Sequence, residues 1–345
     1  MNFNTLTEQI RAYCDREQIS MTLRVTRCDR IEYELSCGYA DLASKTPFDR
    51  HSMFSFYSLS KPFCAIGLLK LRDRGLVDID AHPSKYVPEA AGFDERVTIR
   101  HLLHHTSGLP DFEQCTEFCS THKPGYARFA RAHLRELSAL PSYFAPGTSA
   151  RYANVNFVIP ALIVENITGL PYSEYMKREV FEPLGMNSAV VDDEGRVIPN
   201  RVKCYELDGD HPVEVNRSLD WMLGAGDIVG TVDDVYCLNR AIKQRLLLTP
   251  ETWQEVLTPS PLNGMGMGCT VGEWHGALRI QHNGGHTGFR TLHIQIPADD
   301  FDIILLSNSG YGSARPDLSS MVHEAFYGSS NAPLAPMDTG YIKPV

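Results

Sequence analysis

A serine and a lysine lie close together in the aromatic, apolar segment "FSFYSLSKPF" of residues 54–63. Buried polar groups cost free energy unless each finds a partner, so their presence in such a segment needs a reason. Lys61 follows Ser58 by three residues, a spacing that puts both side chains on one face of a helix. A serine hydroxyl needs an adjacent base to act as a nucleophile. The pair therefore indicates a nucleophilic serine with a lysine as its base.

The residues after Lys61 predict the helix that would hold this pair. The segment "PFCAIGLLKLRDRG" is apolar on nearly every side until Lys70 and stops at Gly75, as is typical of a buried helix. Pro62 fits only the first turn, so Ser58 lies at or near the helix N-terminus. Desolvation and the helix dipole lower the pKa of a lysine there, and unsatisfied backbone N–H groups can hold an oxyanion.

The same spacing of serine and lysine occurs a second time, at Ser120 and Lys123 in "FCSTHKPGY". In a chain of this length the spacing is expected about once or twice by chance. The second copy precedes a Pro-Gly pair and has no apolar helix after it, so it predicts a solvated loop. We therefore assign the chemistry to Ser58 and Lys61.

The composition limits the classes of partner. The chain has 345 residues, 43% of them hydrophobic, and a formal net charge of −10. No basic cluster is present, which argues against a nucleic-acid or anionic-membrane partner, and the longest apolar run, 157–164, is too short to span a bilayer. The N-terminal residues lack a secretory pattern, and nine irregularly spaced cysteines favour reduced thiols. These features predict a cytoplasmic protein with a small-molecule substrate, and they leave the oligomeric state open.

Strand patterns occur near both ends of the chain, and helical patterns fill its middle. Residues 20–27 alternate as in a half-buried strand, and "RIEYELSCGYA" follows as a hairpin partner. Strand patterns return in "ALRIQH", "TLHIQIP" and "FDIILLS", and Leu292, Ile294 and Ile296 alternate with polar residues. Thr5 and Glu8 resemble a capping box at the start of a first helix, and "DLSSMVHEAFYG" predicts a last one. Helix ends in the middle are predicted by Gly75, Gly169 and Gly185, and a helix start by Thr231 with Asp234.

These patterns predict an α+β fold in which an antiparallel sheet, built from both chain ends, is flanked by helices. The sheet region comprises residues 1–60 and 262–328, and a mainly helical region, 61–261, is inserted between them. A tail follows at 329–345. Together these parts form one catalytic unit, with its site in a cleft between the two regions.

Several segments resemble landmarks of one superfamily. A Ser-x-x-Lys at the start of a buried helix resembles the first motif of the serine β-lactamases and penicillin-binding proteins. In chain order, "HLLHHTSGLPDF", "FAPGTSARYANVNF", "VFEPLGM", "GAGDIVGTVDD" and "QHNGGHTGF" resemble later landmarks. The likeness is to the branch with class C β-lactamases, family VIII esterases and D-aminopeptidases. It runs from about residue 37 to 310 and implies a β-lactamase-like fold.

The resemblance implies a role for each motif residue. Ser58 would attack a carbonyl carbon and form an acyl-enzyme, and Lys61 and Tyr152 would move its proton. Asn154, the last residue of the Tyr-x-Asn motif, would orient Lys61 and bind the substrate. We expect neither a cofactor nor a metal.

The third motif supplies the rest of the site. His282 would stand where many relatives have a lysine, followed by Gly284 and Gly285, and the N–H groups of Ser58 and Gly285 would form the oxyanion hole. Since residues 286–288 repeat the form His-x-Gly, His286 is an alternative; we prefer His282 because it matches the superfamily's trailing Gly-Phe. A histidine is neutral for much of the time near pH 7. A substrate carboxylate would then be held less firmly, which favours esters, amides or D-amino-acid derivatives over β-lactams.

Other interpretations of these residues stay open. Tyr152 fits an ordinary half-buried tyrosine, and Asn154 fits the N-cap of the helix that follows. His101 and His105 have the i, i+4 spacing of zinc ligands but lack the glutamate of His-Glu-x-x-His. Cys115 lies four residues before Cys119 with no second pair to complete a zinc site.

The sequence therefore predicts a serine hydrolase that acts on small esters or amides through an acyl-enzyme on Ser58. Esterase, D-aminopeptidase and weak β-lactamase activities all fit this chemistry. No Gly-x-Ser-x-Gly occurs, which argues against an α/β-hydrolase. The alternatives are an acyltransferase that uses the same acyl-enzyme and a non-catalytic binding or filament protein on the same fold.

Overall fold

The chain has strand-rich ends and a helix-rich middle. The computed structural model describes residues 3–114, 126–193, 197–215, 222–274, 276–310 and 314–328. Its strands are β1 Met21–Arg27, β2 Arg30–Cys37, β3 Phe54–Ser55, β4 Val190–Val191, β5 Cys204–Asp208, β6 His211–Val215, β7 Ile228–Gly230, β8 Thr270–Trp274, β9 Ala277–His286, β10 Phe289–Ile296 and β11 Phe301–Ser307. Its helices are α1 Phe3–Arg16, α2 Lys61–Asp73, α3 Ile99–Leu103, α4 Tyr126–Ser138, α5 Val155–Thr168, α6 Tyr172–Met176, α7 Glu182–Leu184, α8 Val232–Gln244, α9 Pro250–Val256 and α10 Ala314–Tyr327.

One six-stranded antiparallel sheet joins the two chain ends. Its strand order is β2-β1-β11-β10-β9-β8. The first strand of the chain pairs with the last, from Met21 opposite Ser307 to Arg27 opposite Phe301. The predicted α+β fold, with a sheet built from both chain ends and helices around it, is confirmed.

Helices α1 and α10 pack on this sheet. Ile10 of α1 and Val322 of α10 belong to the same buried apolar cluster as Leu23 of β1. Because α1 begins at Phe3, Thr5 and Glu8 lie inside it, and the prediction that they cap its start is wrong.

Strand β1 is buried on both faces, which corrects the prediction of a half-buried strand. Its polar residues have partners that the alternation does not reveal. Arg24 donates to Glu34 at 2.6 Å and to Asp233 at 2.5 Å, and Thr26 donates to Asp302 at 2.8 Å. These contacts satisfy polar groups that the pattern would place in solvent.

Helices α2 and α5 form the centre of the helical region. Almost every residue of α2 up to Leu71 is buried, and α5 is buried continuously from Val155 to Val164. Gly169 and Gly185 end α5 and α7 in the left-handed conformation, and Thr231 caps α8, as the sequence predicts. In the described ranges no single helix is long and apolar enough to cross a membrane. One pair of described helical segments, Val155–Thr168 and Tyr172–Leu184, is long and apolar enough when taken together, but the two are bent by 86°.

Short strands interrupt the helical region. The strands β3, β7 and β4 form a three-stranded sheet, and β5 with β6 forms a hairpin. Strands of two or three residues are too short to show alternation, so the sequence did not predict the small sheet. The boundaries of the predicted regions stay a prediction, and the tail 329–345 lies outside the described residues.

Candidate active site

Ser58 lies in a short 3-10 turn, Tyr57–Ser60, that runs directly into α2. The chain leaves β3 through Tyr57, whose φ of 49° is unusual for a residue other than glycine. The Tyr57 hydroxyl donates to the carbonyl of Thr287 at 2.8 Å. This bond ties the turn to the end of β9. Ser58 stays partly exposed, whereas Tyr57 and Leu59 on either side of it are buried.

Lys61 is fully buried beside Ser58. Its Nζ lies 3.1 Å from Ser58 Oγ, and it donates to Asn154 Oδ1 at 3.0 Å and to the carbonyl of Ala225 at 2.7 Å. An amide oxygen and a carbonyl oxygen can only accept. In a neutral amine these two bonds use both N–H groups, which leaves the lone pair to accept the Ser58 O–H. The geometry is therefore that of a base next to a hydroxyl.

The environment of Lys61 favours the neutral amine. Burial lowers its pKa to about 7, against the opposing effect of the negative charges of Asp111 and Asp227. An exposed lysine has a pKa near 10.4 and is almost entirely charged at pH 7. A substantial fraction of Lys61 therefore lacks the extra proton near neutral pH, unlike an exposed lysine.

Tyr152 and Asn154 reach Lys61 from the segment just before α5. Lys61 Nζ lies over the Tyr152 ring, 4.7 Å from its centroid. Asn154 occupies the N-cap position of α5, but its side chain makes no capping hydrogen bond and contacts Lys61 instead. The Asn154 side chain is therefore a partner of Lys61 and not a cap of α5.

The third motif lies on β9, along the Ser58 turn. A Cβ at Gly284 would come within 2.0 Å of the Phe56 carbonyl oxygen, so only glycine lets the strand approach this closely. Thr291 of β10 donates to the same oxygen at 3.0 Å. Gly285 is the next residue along β9, and it pairs with Arg290. The proposed oxyanion donors are therefore on two backbones that lie side by side.

His282 is buried in β9 and is neutral. Its Nδ1 contacts the Asn283 carbonyl at 2.7 Å; because a carbonyl only accepts, Nδ1 carries the proton and Nε2 is an acceptor. Burial, with a smaller effect of the Lys61 charge, lowers its pKa to about 3. His286 instead lies against the ring of Tyr57, with centroids 5.6 Å apart. The choice of His282 over His286 as the third-motif residue stays a prediction.

Sequence reasoning missed a role for His105. Helix α3 ends at Leu103, and His105 follows with a φ of 57°. Its ring stacks on Tyr152 at 4.2 Å, and its Nδ1 accepts the N–H of Ala153 at 3.2 Å. His105 therefore packs against Tyr152 and helps to hold its ring in place. Because α3 ends at Leu103, His101 and His105 do not lie one turn apart on this helix, as a zinc pair would. The signal in the sequence that could have pointed to this loop is the likeness of "HHTSGLP" to a landmark of the superfamily.

Two predictions fall on residues that the structure does not describe. The second Ser-x-x-Lys, at Ser120 and Lys123, and the cysteines 115 and 119 lie within residues 115–125.

Comparison with known proteins shows the family of the chain. The family model described as Beta-lactamase matches residues 3–325. The chain belongs to the beta-lactamase family. It is 29% identical over 318 residues to penicillin-binding protein 4* of Bacillus subtilis, covering 85% of this chain and 69% of that protein. It is 26% identical over 372 residues to esterase EstB of Burkholderia gladioli, covering 91% and 92%.

A solved structure shows the same fold. D-amino acid amidase from Ochrobactrum anthropi SV3 superposes with a TM-score of 0.79 at 22% identity, covering 96% of this chain and all of that one. The predicted superfamily is confirmed, and with it the enzyme class: this beta-lactamase family protein is a serine hydrolase.

Proposed function

We propose that this protein hydrolyses small esters or amides through an acyl-enzyme on Ser58. The observation that carries the proposal is the position of Lys61 Nζ, 3.1 Å from Ser58 Oγ, with its two other polar contacts made to pure acceptors. The lysine is fully buried. Such a site has a base, a nucleophile and no competing solvent at the amine.

The first half-reaction forms the acyl-enzyme. Ser58 transfers its proton to the Lys61 amine as its Oγ bonds to the carbonyl carbon. The resulting oxyanion accepts hydrogen bonds from the backbone N–H groups of Ser58 and Gly285, each typically worth on the order of 10²–10³ in rate. The bond to the leaving group then breaks, and the proton passes from Lys61 to the leaving oxygen or nitrogen through Tyr152.

The second half-reaction releases the acid. A water donates a proton to the same base and attacks the ester carbon. The tetrahedral intermediate collapses, and the proton returns to Ser58 Oγ. The Tyr152 ring, whose centroid lies 4.7 Å from Lys61 Nζ, stabilises the ammonium that forms in each step by a cation–π interaction.

The third motif favours uncharged substrates. His282 has a pKa of about 3, so it supplies no positive charge to a substrate carboxylate near neutral pH. We infer that neutral esters, amides or D-amino-acid derivatives are better substrates than β-lactams, whose carboxylate would lack a counter-charge here. The names of two similar proteins, an esterase and a D-amino acid amidase, refer to ester and amide substrates. The cytoplasmic location predicted above stays a prediction.

Ester turnover tests the proposal. The wild type is expected to hydrolyse p-nitrophenyl acetate and p-nitrophenyl butyrate, and Ser58→Ala should lower kcat at least 10³-fold. Ser120→Ala is the matched control, because it removes the serine of the second Ser-x-x-Lys, and it should keep full activity. Turnover that persists in Ser58→Ala, or that is lost in Ser120→Ala, would contradict the assignment.

A further inference from the structure

Asp111 joins the start of α5 to the catalytic lysine. Its carboxylate accepts the backbone N–H groups of Asn154 at 2.7 Å and of Val155 at 3.0 Å. These are two of the four orphan donors at the N-terminus of α5, where Asn154 itself makes no side-chain cap bond. An aspartate 43 residues upstream therefore caps the helix from outside.

The same carboxylate fixes the orientation of the Asn154 amide. Asn154 Nδ2 donates to Asp111 Oδ2 at 3.3 Å, while Asn154 Oδ1 accepts from Lys61 Nζ at 3.0 Å. An ionised carboxylate only accepts, so the NH₂ end of the amide must face Asp111. The oxygen end must then face Lys61. Without Asp111, the amide can turn its NH₂ group towards the amine, where it competes with the Ser58 proton for the lone pair.

Asp111 also acts on Lys61 through its charge. Among the effects that oppose desolvation of Lys61, the charge of Asp111 is the largest, ahead of Cys64 and Asp227. The other titratable groups around the amine come from three further elements: Tyr152, whose ring faces Nζ, and the neutral imidazoles His105 and His282. Among the described residues that act on Lys61, Asp111 and Asp227 bring a formal negative charge, whereas burial raises the pKa of the Cys64 thiol and keeps it neutral.

We propose that Asp111 is a positioning residue of the active site, which holds Asn154 with its oxygen towards Lys61 and places a carboxylate one hydrogen-bonded side chain away from the amine. The inference rests on the proposed function for its catalytic meaning. Its structural content, a chain of contacts from Asp111 through Asn154 to Lys61, does not depend on turnover.

The first measurement is the titration of Lys61 itself. Protein labelled with ¹³C at the lysine Cε is titrated by NMR, with Lys61→Arg used to assign the signal. Asp111→Asn keeps an acceptor for the helix cap but removes the charge, so the Lys61 midpoint should fall by about one pH unit. Asp111→Ser is a second uncharged capping variant. Asp111→Glu, which keeps the charge, should return the midpoint towards the wild-type value.

The second measurement is the pH profile of ester hydrolysis. The acid limb of kcat/KM should move to lower pH in Asp111→Asn and Asp111→Ser by the same amount as the Lys61 midpoint, with kcat lowered about tenfold or more because the amide is no longer held. The control is Asp234→Asn, which removes a carboxylate that caps α8 and should leave both the midpoint and the acid limb unchanged.

The outcomes separate the two proposals. If the uncharged Asp111 variants lose only thermal stability, as Asp234→Asn does, and keep the wild-type midpoint, Asp111 is a helix cap and the inference is wrong. If the wild type hydrolyses no ester and carries no label on Ser58, the proposed function fails, while the NMR titration still decides whether Asp111 acts on Lys61.

Discussion

The burial of Lys61 predicts how the reactivity of Ser58 depends on pH. The lysine has a pKa of about 7 in the folded protein and must be neutral to accept the serine proton. Below this pH, the reactive fraction falls tenfold for each pH unit. The rate of Ser58 modification at pH 5 should therefore be about 100-fold below its plateau above pH 8. A lysine of ordinary pKa would show no plateau until pH 10 or higher.

The assay is the rate at which a fluorophosphonate inactivates ester hydrolysis between pH 5 and pH 9.5, at constant ionic strength. His282 has a pKa of about 3 and does not titrate in this range. Asp302 does, because burial raises its pKa to about 7, so Asp302→Asn is the control and should keep the profile. A rate that climbs without levelling up to pH 9.5, or a midpoint that moves in Asp302→Asn, would refute the assignment to Lys61.

The same shift makes stability depend on pH, with a definite sign. The unfolded chain keeps the lysine proton up to a pKa near 10.4, whereas the folded protein loses it near 7. Between these values the unfolded state binds more protons, so the contribution of Lys61 to the free energy of unfolding rises with pH across this window. Over this whole pH window the contribution of Lys61 to the free energy of unfolding changes by about a few kcal/mol. Urea titrations should show the rise in the wild type and not in Lys61→Met.

Three further substitutions test separate parts of the account. Tyr152→Phe should lower kcat about 10²-fold or more, measured by ester turnover, with thermal stability nearly unchanged; full activity would remove the tyrosine from proton transfer. His282→Lys should raise the ratio of nitrocefin to p-nitrophenyl acetate hydrolysis, since a cation then faces the substrate carboxylate; an unchanged ratio would contradict the role of charge. Thr231→Ala, at the capping box of α8, should lower the free energy of unfolding by about 1 kcal/mol and leave kcat unaltered; a change in kcat would contradict its purely structural role.

The sequence predicts best those features whose cause is local. Ser58 and Lys61 lie on one turn, so their spacing alone places them together, and the structure puts their side chains 3.1 Å apart. The sheet strand β10 follows from the alternation of Leu292, Ile294 and Ile296 with polar residues, and β11 follows from a short apolar run of seven residues. The capping box at Thr231 is likewise set by neighbours three residues apart.

Features that depend on distant contacts could not be predicted in the same way. Asp111 meets Asn154 across 43 residues, and His105 stacks on Tyr152 after a turn that no periodicity marks. Strand β1 was predicted as half-buried because its polar residues alternate, yet Arg24 finds Asp233 on α8, 209 residues away. In each case a polar group has its partner in a part of the chain that only the folded structure brings near.

The central claim is that Ser58 is the residue that becomes acylated. It is tested most directly by mass spectrometry of the protein after reaction with a fluorophosphonate, followed by peptide mapping. The account predicts one adduct, on the peptide that contains Ser58, and none in Ser58→Ala or at pH 5 over the same short exposure. An adduct on another residue, Ser120 included, or an unlabelled wild type at pH 8, would contradict it.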